Sequence, residues 1–526
     1  MDLLIADASI LDGTGAPAFR GTVGVTGDRI AAVLPPGTAE PQAARRIEAE
    51  GLVLAPGFVD VHQHSDLSPF TEPSMDSYLR QGVTTCVVGN CGSSAFPAEG
   101  VPELAALAGS RGLEASWRTF GEYLEAVEAC RPALNVGALV GHGTLREAVL
   151  GADQRRPPTA EEAAEMRRLL ASALEEGALG LSTGLIYAPG LHASTQEIVE
   201  LAAGLARRGG IYVSHVRGEG EQVFEAVAEC IEIGRRTGVP AHLSHLKVEG
   251  RTMWGRAAEL LERIDEARAA GADVSADQYP YTAWETELAA VLPPWVSAPE
   301  LGAALADPDA RARLERAIEE GEPGWESVGR SLGWDRVVLG SFPPEPELSG
   351  RAIAELAAER GVRPVELICE LLLRDRFAGM LGHGMDEADV RTILARPDVA
   401  VASDGIAVSP DGPLGAFAVH PRYYGTFTRV LGRYVREERL LPLETAVRKM
   451  TALPAERFGL AGRGRIEPGA FADLVLFDPG TVADRATYER PHAFAEGIRL
   501  VVVNGRVAFD GEPGERAGRA LRRGAR

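Results

Sequence analysis

Hydrophobic residues in the middle of this chain occur in short continuous runs that end in glycine or polar residues. Eight runs can be counted: "GFVDVHQH", "GVTTCVVGNCG", "LNVGALVGHG", "GALGLSTGLIY", "GIYVSHVRGEG", "VPAHLSHLKVEG", "ADVSADQYPY" and "VAVASDG". Continuous apolar runs of this length predict strands buried on both faces, as in parallel sheets. Amphipathic segments such as "TAEEAAEMRRLLASALEEG" separate most of them and predict helices. Eight strand–helix units predict an α/β fold, a closed, TIM-like (β/α)8 barrel.

The two ends of the chain have a different pattern. Residues 1–55 and 464–510 consist of short strands and turns, and we expect them to form one small β-sandwich together. The catalytic barrel then occupies residues 56–463. Residues from about 284 to 346 fit no strand–helix unit, and we expect this insertion after the seventh strand to be a lid. Residues 511–526 are expected to form a basic, loosely held tail.

Six metal-competent side chains fall at the C-terminal ends of the predicted strands, where barrels of this kind carry their active sites. They are His62, His64, Cys91, His215, His245 and Asp404. Each has a structural interpretation by itself: a strand-end histidine with a backbone partner, a buried turn thiol, or an aspartate that forms a turn. Their joint position at one rim favours a metal site, and imidazole, thiolate and carboxylate ligands favour Zn²⁺.

Zinc in an open site lowers the pKa of bound water to roughly 7 and polarises a carbonyl group. We therefore expect a metal-assisted amidase in which zinc-activated water is the nucleophile and Asp404 is the general acid/base. A serine hydrolase is an alternative, because "GLSTG" matches the G-x-S-x-G nucleophile elbow with Ser182 at its centre. That segment continues through "LIYAPG" without the required strand-to-helix turn, and the alternative leaves the metal ligands unexplained.

Charge and composition restrict the partners of the protein. A net charge of −21 opposes binding to nucleic acid or to an anionic membrane surface, so we expect a small-molecule substrate. Five scattered cysteines and a start without a basic leader predict a cytoplasmic protein with reduced thiols. Among the 54 basic residues only Lys247 and Lys449 are lysine, so each is a candidate for a role that arginine cannot fill.

Several segments resemble the amidohydrolase superfamily and, within it, the N-acyl-D-amino-acid deacylases, or D-aminoacylases. They include "APGFVDVHQHSD", "GVTTCVVGNCG", "SHVRGEG", "HLSHLKVEG" and "HPRYYGTFTRVLGRY", and the resemblance extends to about Gly505. It implies zinc-dependent hydrolysis of the amide bond of N-acyl-D-amino acids to a carboxylate and a free D-amino acid. The D preference comes from this resemblance alone.

The resemblance also implies roles for individual residues. One tight zinc would be held by Cys91, His215 and His245, with a second, weaker site formed by His62, His64 and Asp404. The α-carboxylate of the substrate would be bound by Lys247, Tyr279 and Arg422, with Tyr187 near the scissile amide or the carboxylate. An anionic substrate that approaches so acidic a protein needs local positive charges, which agrees with Lys247 and Arg422.

Other functions stay open at this stage. A dipeptidase or cyclic amidase of the same superfamily is one alternative, although such relatives bridge two metals with a lysine on strand four, and "GALGLSTGLIY" contains no lysine. A non-catalytic scaffold is another, but no ligand substitution is visible. We favour structural roles for His242 and His420, and leave open the roles of His142 and His383. The side-chain and acyl preferences, the number of metals in turnover and the oligomeric state are also open.

Overall fold

The computed structural model describes residues 1–110, 112–322, 325–412, 415 and 420–524. The strands are β1 (Leu3–Ile10), β2 (Phe19–Thr26), β3 (Arg29–Leu34), β4 (Arg45–Glu48), β5 (Val53–Pro56), β6 (Phe58–Asp60), β7 (Val83–Val88), β8 (Asn135–Ala138), β9 (Val140–Gly141), β10 (Gly180–Gly184), β11 (Ile211–His215), β12 (Ala241–Leu243), β13 (Val274–Gln278), β14 (Trp284–Glu287), β15 (Val337–Leu339), β16 (Gly379–Gly382), β17 (Val399–Val401), β18 (Leu474–Phe477), β19 (Ile498–Val503) and β20 (Arg506–Phe509).

The helices are α1 (Ser68–Thr71), α2 (Asp76–Leu79), α3 (Pro102–Ser110), α4 (Phe120–Ala129), α5 (His142–Leu150), α6 (Ala160–Glu176), α7 (Thr195–Ala206), α8 (Val223–Thr237), α9 (Ala257–Ala269), α10 (Leu301–Ala306), α11 (Pro308–Glu320), α12 (Val328–Leu332), α13 (Ile353–Arg360), α14 (Pro364–Arg374), α15 (Glu387–Leu394), α16 (Arg422–Arg429), α17 (Leu443–Met450) and α18 (Ala452–Arg457). Local sequence sets their ends: α6 begins with a capping box of Thr159 and Glu162 and ends at Gly177, whose φ is 116°. Within the described ranges, no helix combines the length and the hydropathy needed to cross a bilayer.

Each of the eight apolar runs contains a strand of a parallel barrel. The strands pair in the orders β6-β7-β8 and β9-β10-β11-β12-β13-β17, and β9 follows β8 after one residue. The ring is closed by backbone hydrogen bonds from Asp404 N to His62 O (2.9 Å) and from His64 N to Gly405 O (2.8 Å). These bonds join the ends of the first and last barrel strands, so the (β/α)8 barrel predicted from the sequence is confirmed.

An apolar layer fills the lower part of the barrel and supports the residues above it. Val59, Ile211 and Val213 belong to this layer, and Phe458 from the residue after α18 packs in the same cluster. Because alternate residues of a strand face the same side, His215 points inward above Ile211 and Val213. The end of β11 therefore presents an imidazole to the C-terminal mouth of the barrel.

Strands from both ends of the chain form one eight-stranded sheet beside the barrel. Its order is β20-β19-β18-β5-β1-β2-β3, with β4 paired to β1. Strand β5, from the N-terminal part, pairs antiparallel with β18, from the C-terminal part. The sheet encloses an apolar core of its own, which includes Ile5, Ile10, Val23, Leu474 and Leu500.

The segment between β13 and β17 forms a separate small unit on the barrel. Strands β14, β15 and β16 make an antiparallel sheet in which β16 lies between the other two. Helices α10 to α14 pack with this sheet around a core that includes Trp284, Leu314, Leu339 and Leu371. The unit extends beyond residue 346, the end expected from the sequence, because its central strand is residues 379–382.

Residues 518–523 of the C-terminal tail are bound to the barrel. Backbone hydrogen bonds run from Gly518 N to Pro132 O (2.9 Å), from Leu521 N to Val136 O (2.8 Å) and from Arg523 N to Gly177 O (3.0 Å). The expectation of a loosely held tail is therefore wrong for residues 518–523, because pairing with the barrel backbone satisfies its peptide groups. Residues 525–526 of the expected tail lie outside the described residues.

A buried polar network joins the terminal sheet to the barrel. Arg463 donates hydrogen bonds to the carboxylate of Asp473 and to Asn504 Oδ1, the latter at 3.0 Å. Asn504 Nδ2 in turn donates to Oδ1 of Asn135, the first residue of β8, at 2.7 Å. The side chains of Arg463 and Asp473 are only 4% and 3% exposed, so each charge depends on the other for compensation.

We predict that Asp473→Ala lowers the free energy of unfolding by about 3–5 kcal/mol, because it leaves the buried Arg463 charge without its partner. Urea denaturation followed by circular dichroism measures the loss. The control is Glu456→Ala, which removes an exposed ion pair with Arg465 and should cost less than about 1 kcal/mol. Equal losses in the two variants would contradict the assigned role of this network.

Candidate functional site

The six side chains predicted as metal ligands converge at the C-terminal mouth of the barrel. They come from five strands of the ring: His62 and His64 follow β6, Cys91 follows β7, His215 ends β11, His245 follows β12, and Asp404 follows β17. All except His64 and Cys91 are buried, and the side chain of His64 is 30% exposed. The site is therefore a mostly dry cluster with one more open side.

Four of these residues already lie at distances that a single ion could bridge. His62 Nε2 is 3.2 Å from Cys91 Sγ and also 3.2 Å from Asp404 Oδ1. Cys91 Sγ is 3.5 Å from His245 Nε2. One donor atom from each of these residues lies within 4.8 Å of the others. His64 Nε2 is 3.1 Å from Asp404 Oδ1 and extends the cluster toward the open side.

His215 gives the clearest indication that the cluster fits an ion. Its ring centroid is 4.3 Å from that of His245, yet both of its ring nitrogens are buried without a hydrogen-bond partner among the described residues. Its Nε2 lies 3.7 Å from Glu219 Oε2, beyond hydrogen-bond length. Buried polar atoms are normally paired, and an ion among these donors would supply a closer partner. Thiolate, imidazole and carboxylate donors together suit zinc.

Three of the candidate ligands have backbone angles that direct them toward the centre. Cys91, His245 and Asp404 have φ values of 52°, 34° and 55°, in the left-handed region that residues other than glycine rarely adopt. Each such conformation costs on the order of 1–3 kcal/mol, and such strain clusters at functional sites. It occurs here just after β7, β12 and β17, where the chain leaves its strand.

The electrostatic environment holds these groups in states suited to metal binding and base catalysis. Burial alone would raise the pKa of the Cys91 thiol, but the charge of His62 and hydrogen bonds from neighbouring histidines bring it well below its usual range. Burial likewise opposes ionisation of Asp404, but the Arg422 guanidinium holds the pKa of that carboxyl well below its usual value. These surroundings favour the thiolate form of Cys91 and the carboxylate form of Asp404.

Two buried carboxylates that we did not predict from the sequence orient the ligands. Glu219 Oε1 is 3.1 Å from His245 Nδ1 and 2.6 Å from Lys247 Nζ, which leaves His245 Nε2 directed toward Cys91. Asp277 Oδ2 is 3.5 Å from His62 Nδ1. Carboxylates of this kind hold a histidine with its other nitrogen free for a metal. Asp277 lies near the end of β13, so the strand-end signal used for the other residues applies to it as well.

The four predicted substrate residues lie around the same cluster. The Nζ of Lys247 and the Cζ of Arg422 are each 5.4 Å from the ring centroid of Tyr279. The hydroxyl of Tyr279 is buried and has no hydrogen-bond partner among the described residues. The Tyr187 ring is 4.8 Å from the His215 ring. Two cations and a free hydroxyl thus face one another beside the candidate metal site.

Ser182 and the four histidines whose roles the sequence left open or structural have partners of their own. His242 Nε2 lies 2.8 Å from Asp277 Oδ2, and His420 Nε2 lies 3.0 Å from the carbonyl oxygen of Ala283. His142, directly after β9, has its Nε2 2.9 Å from Glu197 Oε1, and His383 stacks edge-on against Tyr488. Ser182 is fully buried and donates a hydrogen bond to the backbone oxygen of Gly89. A buried, engaged hydroxyl does not suit a nucleophile.

Comparison with known sequences shows full-length similarity to enzymes of one kind. The chain is 42% identical to a D-aminoacylase and to an N-acyl-D-glutamate deacylase, both from Alcaligenes xylosoxydans xylosoxydans. These matches cover 100% of this chain and 98% and 97% of the relatives. An N-acyl-D-aspartate deacylase of the same organism is 39% identical over 99% of this chain and 95% of its own length.

Solved structures give the same result. A D-aminoacylase with a binuclear metal centre, described by one-metal activation and second-metal attenuation, has 41% identity and a TM-score of 0.84, covering 99% of this chain and 100% of its own. An N-acyl-D-glutamate deacylase from Bordetella bronchiseptica, complexed with zinc and a phosphonate mimic of the tetrahedral intermediate, has 40% identity and a TM-score of 0.84, covering 99% of both chains. The model of the amidohydrolase family matches residues 45–509. The chain therefore belongs to the amidohydrolase family and, within it, to the N-acyl-D-amino-acid deacylases.

Proposed function

We propose that this protein is a zinc-dependent deacylase that hydrolyses the amide bond of N-acyl-D-amino acids to a carboxylate and a free D-amino acid. The observation that carries the proposal is the convergence of His62, Cys91, His245 and Asp404, with the ring of His215 4.3 Å from that of His245 and two cations suited to an α-carboxylate nearby. Full-length relatives with this activity support the substrate class. The D configuration in particular rests on these relatives.

Zinc at the tight site would be held by Cys91, His215 and His245, with His62, His64 and Asp404 available for a second, weaker site. When bound, the metal supplies Lewis-acid chemistry: it lowers the pKa of water and polarises the amide carbonyl. The unpartnered nitrogens of His215 and the thiolate of Cys91 support the tight site. The D-aminoacylase described by one-metal activation and second-metal attenuation supports the distinction between a tight site and a weaker one.

Asp404 would transfer the protons of the reaction. Its Oδ2 accepts a hydrogen bond from Arg422 Nη1 at 2.7 Å, which keeps the carboxylate ionised before each turnover. Its Oδ1 faces His62 and His64 and is the atom directed into the cluster. We infer that this carboxylate takes a proton from the attacking water and then delivers it to the leaving amine nitrogen.

Lys247, Tyr279 and Arg422 would bind the α-carboxylate of the substrate. The two cations are each 5.4 Å from the centroid of the Tyr279 ring, and the tyrosine adds a hydroxyl that is free to donate a hydrogen bond. Charge-assisted hydrogen bonds of this kind give both affinity and orientation. Tyr187, beside His215, would then contact the acyl side of the scissile amide or the carboxylate itself.

The five cysteines are all unpaired in the structure, so the protein needs no oxidising compartment to fold. We therefore propose a cytoplasmic location. The net charge of −21 disfavours binding to nucleic acid or to an anionic membrane. Together with the burial of the site, it supports a low-molecular-weight substrate.

The first test is an amine-release screen of zinc-loaded protein against paired N-acetyl-D- and N-acetyl-L-amino acids, with hydantoins and dipeptides included. We expect release from D-substrates only. Hydrolysis confined to dipeptides or cyclic amides would keep the metal chemistry but reject the deacylase assignment. A folded protein that retains zinc and hydrolyses none of these compounds would support the non-catalytic scaffold.

Asp404→Asn should lower kcat by about 1000-fold, because an amide cannot take up the proton of the attacking water. Zinc bound at the tight site should be retained, since Cys91, His215 and His245 are unchanged, and elemental analysis measures it. The matched control is Asp411→Asn, which removes an exposed carboxylate further along the same loop and should leave kcat unchanged. Undiminished kcat in Asp404→Asn would exclude the acid/base role.

Tyr279→Phe should raise KM by about tenfold with a smaller change in kcat, because it removes one hydrogen bond to a charged substrate group. Steady-state kinetics on an N-acetyl-D-amino acid measures both constants. The control is Tyr281→Phe, which removes a different buried hydroxyl. That hydroxyl donates a hydrogen bond to the backbone oxygen of Pro421. A KM effect as large in the control would show that packing, rather than carboxylate binding, is responsible.

A further inference from the structure

Strand β10 supplies none of the six candidate metal ligands, yet it contacts the segment that carries one of them. Its central residue, Ser182, belongs to the "GLSTG" motif and is fully buried. Ser182 and Gly184 pair in register with Val213 and His215 of β11. Because paired residues of parallel strands face the same side, Ser182 and Gly184 point into the barrel at its C-terminal end.

The hydroxyl of Ser182 binds both ends of the loop that contains Cys91. Ser182 Oγ donates a hydrogen bond to Gly89 O and accepts one from Gly92 N at 3.1 Å. These bonds cross from β10 to the loop after β7, and β8 and β9 separate the two strands in the ring. Cys91 lies between the two glycines, so a single hydroxyl group closes the loop Gly89–Gly92 around it.

This loop has a backbone conformation that requires such support. Gly89, Cys91 and Gly92 have positive φ values of 78°, 52° and 77°. Glycine adopts these angles freely, but a residue with a Cβ atom does so rarely. Such a conformation persists only where the surrounding structure imposes it. The position of Cys91 therefore depends on the contacts of its loop.

Two further glycines let the strands below approach the same loop closely. A Cβ atom at Gly184 would lie 2.0 Å from Cys91 O, and one at Gly141 would lie 2.5 Å from Gly92 O. Gly92 O also accepts a hydrogen bond from Thr144 N at 3.1 Å. The loop is therefore enclosed by the backbones of β9 and β10 and is bound to Ser182 at both ends.

The enclosed loop holds the thiol of Cys91 among the candidate ligands. Cys91 Sγ lies 3.2 Å from His62 Nε2 and 3.5 Å from His245 Nε2. The contacts that fix the loop are made between groups of the protein, so the loop can form before zinc binds. A donor that is positioned in advance loses less conformational freedom when it binds an ion, and the affinity is higher for that reason.

We propose that Ser182 is a positioning residue for the metal site: its hydroxyl holds the loop Gly89–Gly92 in the conformation that directs the Cys91 thiolate to the tight zinc. The serine of "GLSTG" thus supports the metal centre and does not attack the substrate. The inference rests on the tight zinc site of the proposed function, and it gives β10 the role of supporting that site.

Ser182→Ala removes the hydroxyl and should weaken Zn²⁺ and Co²⁺ binding by about 10–100-fold, the usual cost of losing a group that orients a ligand. Chelator competition measures the affinity. The thiolate-to-Co²⁺ charge-transfer absorption per bound ion reports coordination by Cys91 and should decrease. The matched control is Thr183→Val, on the opposite face of β10, which removes a buried hydroxyl bonded to Tyr212 and Ser214. The control should leave both the affinity and the absorption unchanged.

The comparison separates failure of this inference from failure of the zinc site. Equal losses of affinity in the two variants, or undiminished affinity and absorption in folded Ser182→Ala protein, would overturn the role of Ser182 and leave the zinc site intact. Wild-type protein that shows no thiolate absorption with Co²⁺ would refute the tight zinc site and the inference together.

Hydrogen exchange of the wild-type protein tests the same inference without a substitution. After a chelator has removed zinc, we expect the amide of Gly92, which is bonded to Ser182 Oγ, to exchange as slowly as in the zinc-loaded protein. Mass spectrometry of peptides that cover residues 89–94 measures the exchange in both forms. Rapid exchange in the zinc-free protein alone would show that the ion, rather than Ser182, forms the loop, and would overturn the inference.

Discussion

The closure of the barrel is the constraint on which the candidate active site depends. Two backbone hydrogen bonds join the end of the first strand to the end of the last, and they involve His62, His64, Asp404 and Gly405. The same contact brings the imidazole of His64 to the carboxylate of Asp404, across 340 positions in the sequence. Because the main-chain pairing and the side-chain cluster share these residues, a barrel that failed to close would have no complete metal site.

Charge compensation is the second requirement of this site. Asp404 is paired with Arg422, Glu219 with Lys247, and Asp277 with His62 and His242. Buried charges of this kind are tolerated where partners and hydrogen bonds offset their desolvation. The pairs also orient the donors, so the groups that make burial tolerable direct the imidazoles toward the centre. Both ring nitrogens of His215 lack a hydrogen bond within the described residues, which agrees with its proposed role as a metal ligand.

The candidate site is built on the barrel and is also contacted by the insertion. The candidate ligands and the general acid/base lie on barrel strands or directly after them, whereas Glu285 lies on β14, the first strand of the insertion. The insertion reaches the site through a hydrogen bond from Arg422 to the backbone oxygen of Glu285. The insertion is therefore in direct contact with a residue of the candidate site.

The sequence by itself determined the barrel and the set of candidate ligands, because buried parallel strands are continuous apolar runs and their C-terminal ends carry the polar residues. It did not identify Glu219, Asp277 or Glu285, nor the bound tail, because their significance lies in partners distant along the chain. Glu219 is significant for its contacts with His245 and Lys247, and Glu285 for its contact with Arg422. These contacts depend on how the strands and the insertion pack against one another. Only the tertiary structure decides them, since periodicity reports which face of an element is buried but not what it meets there.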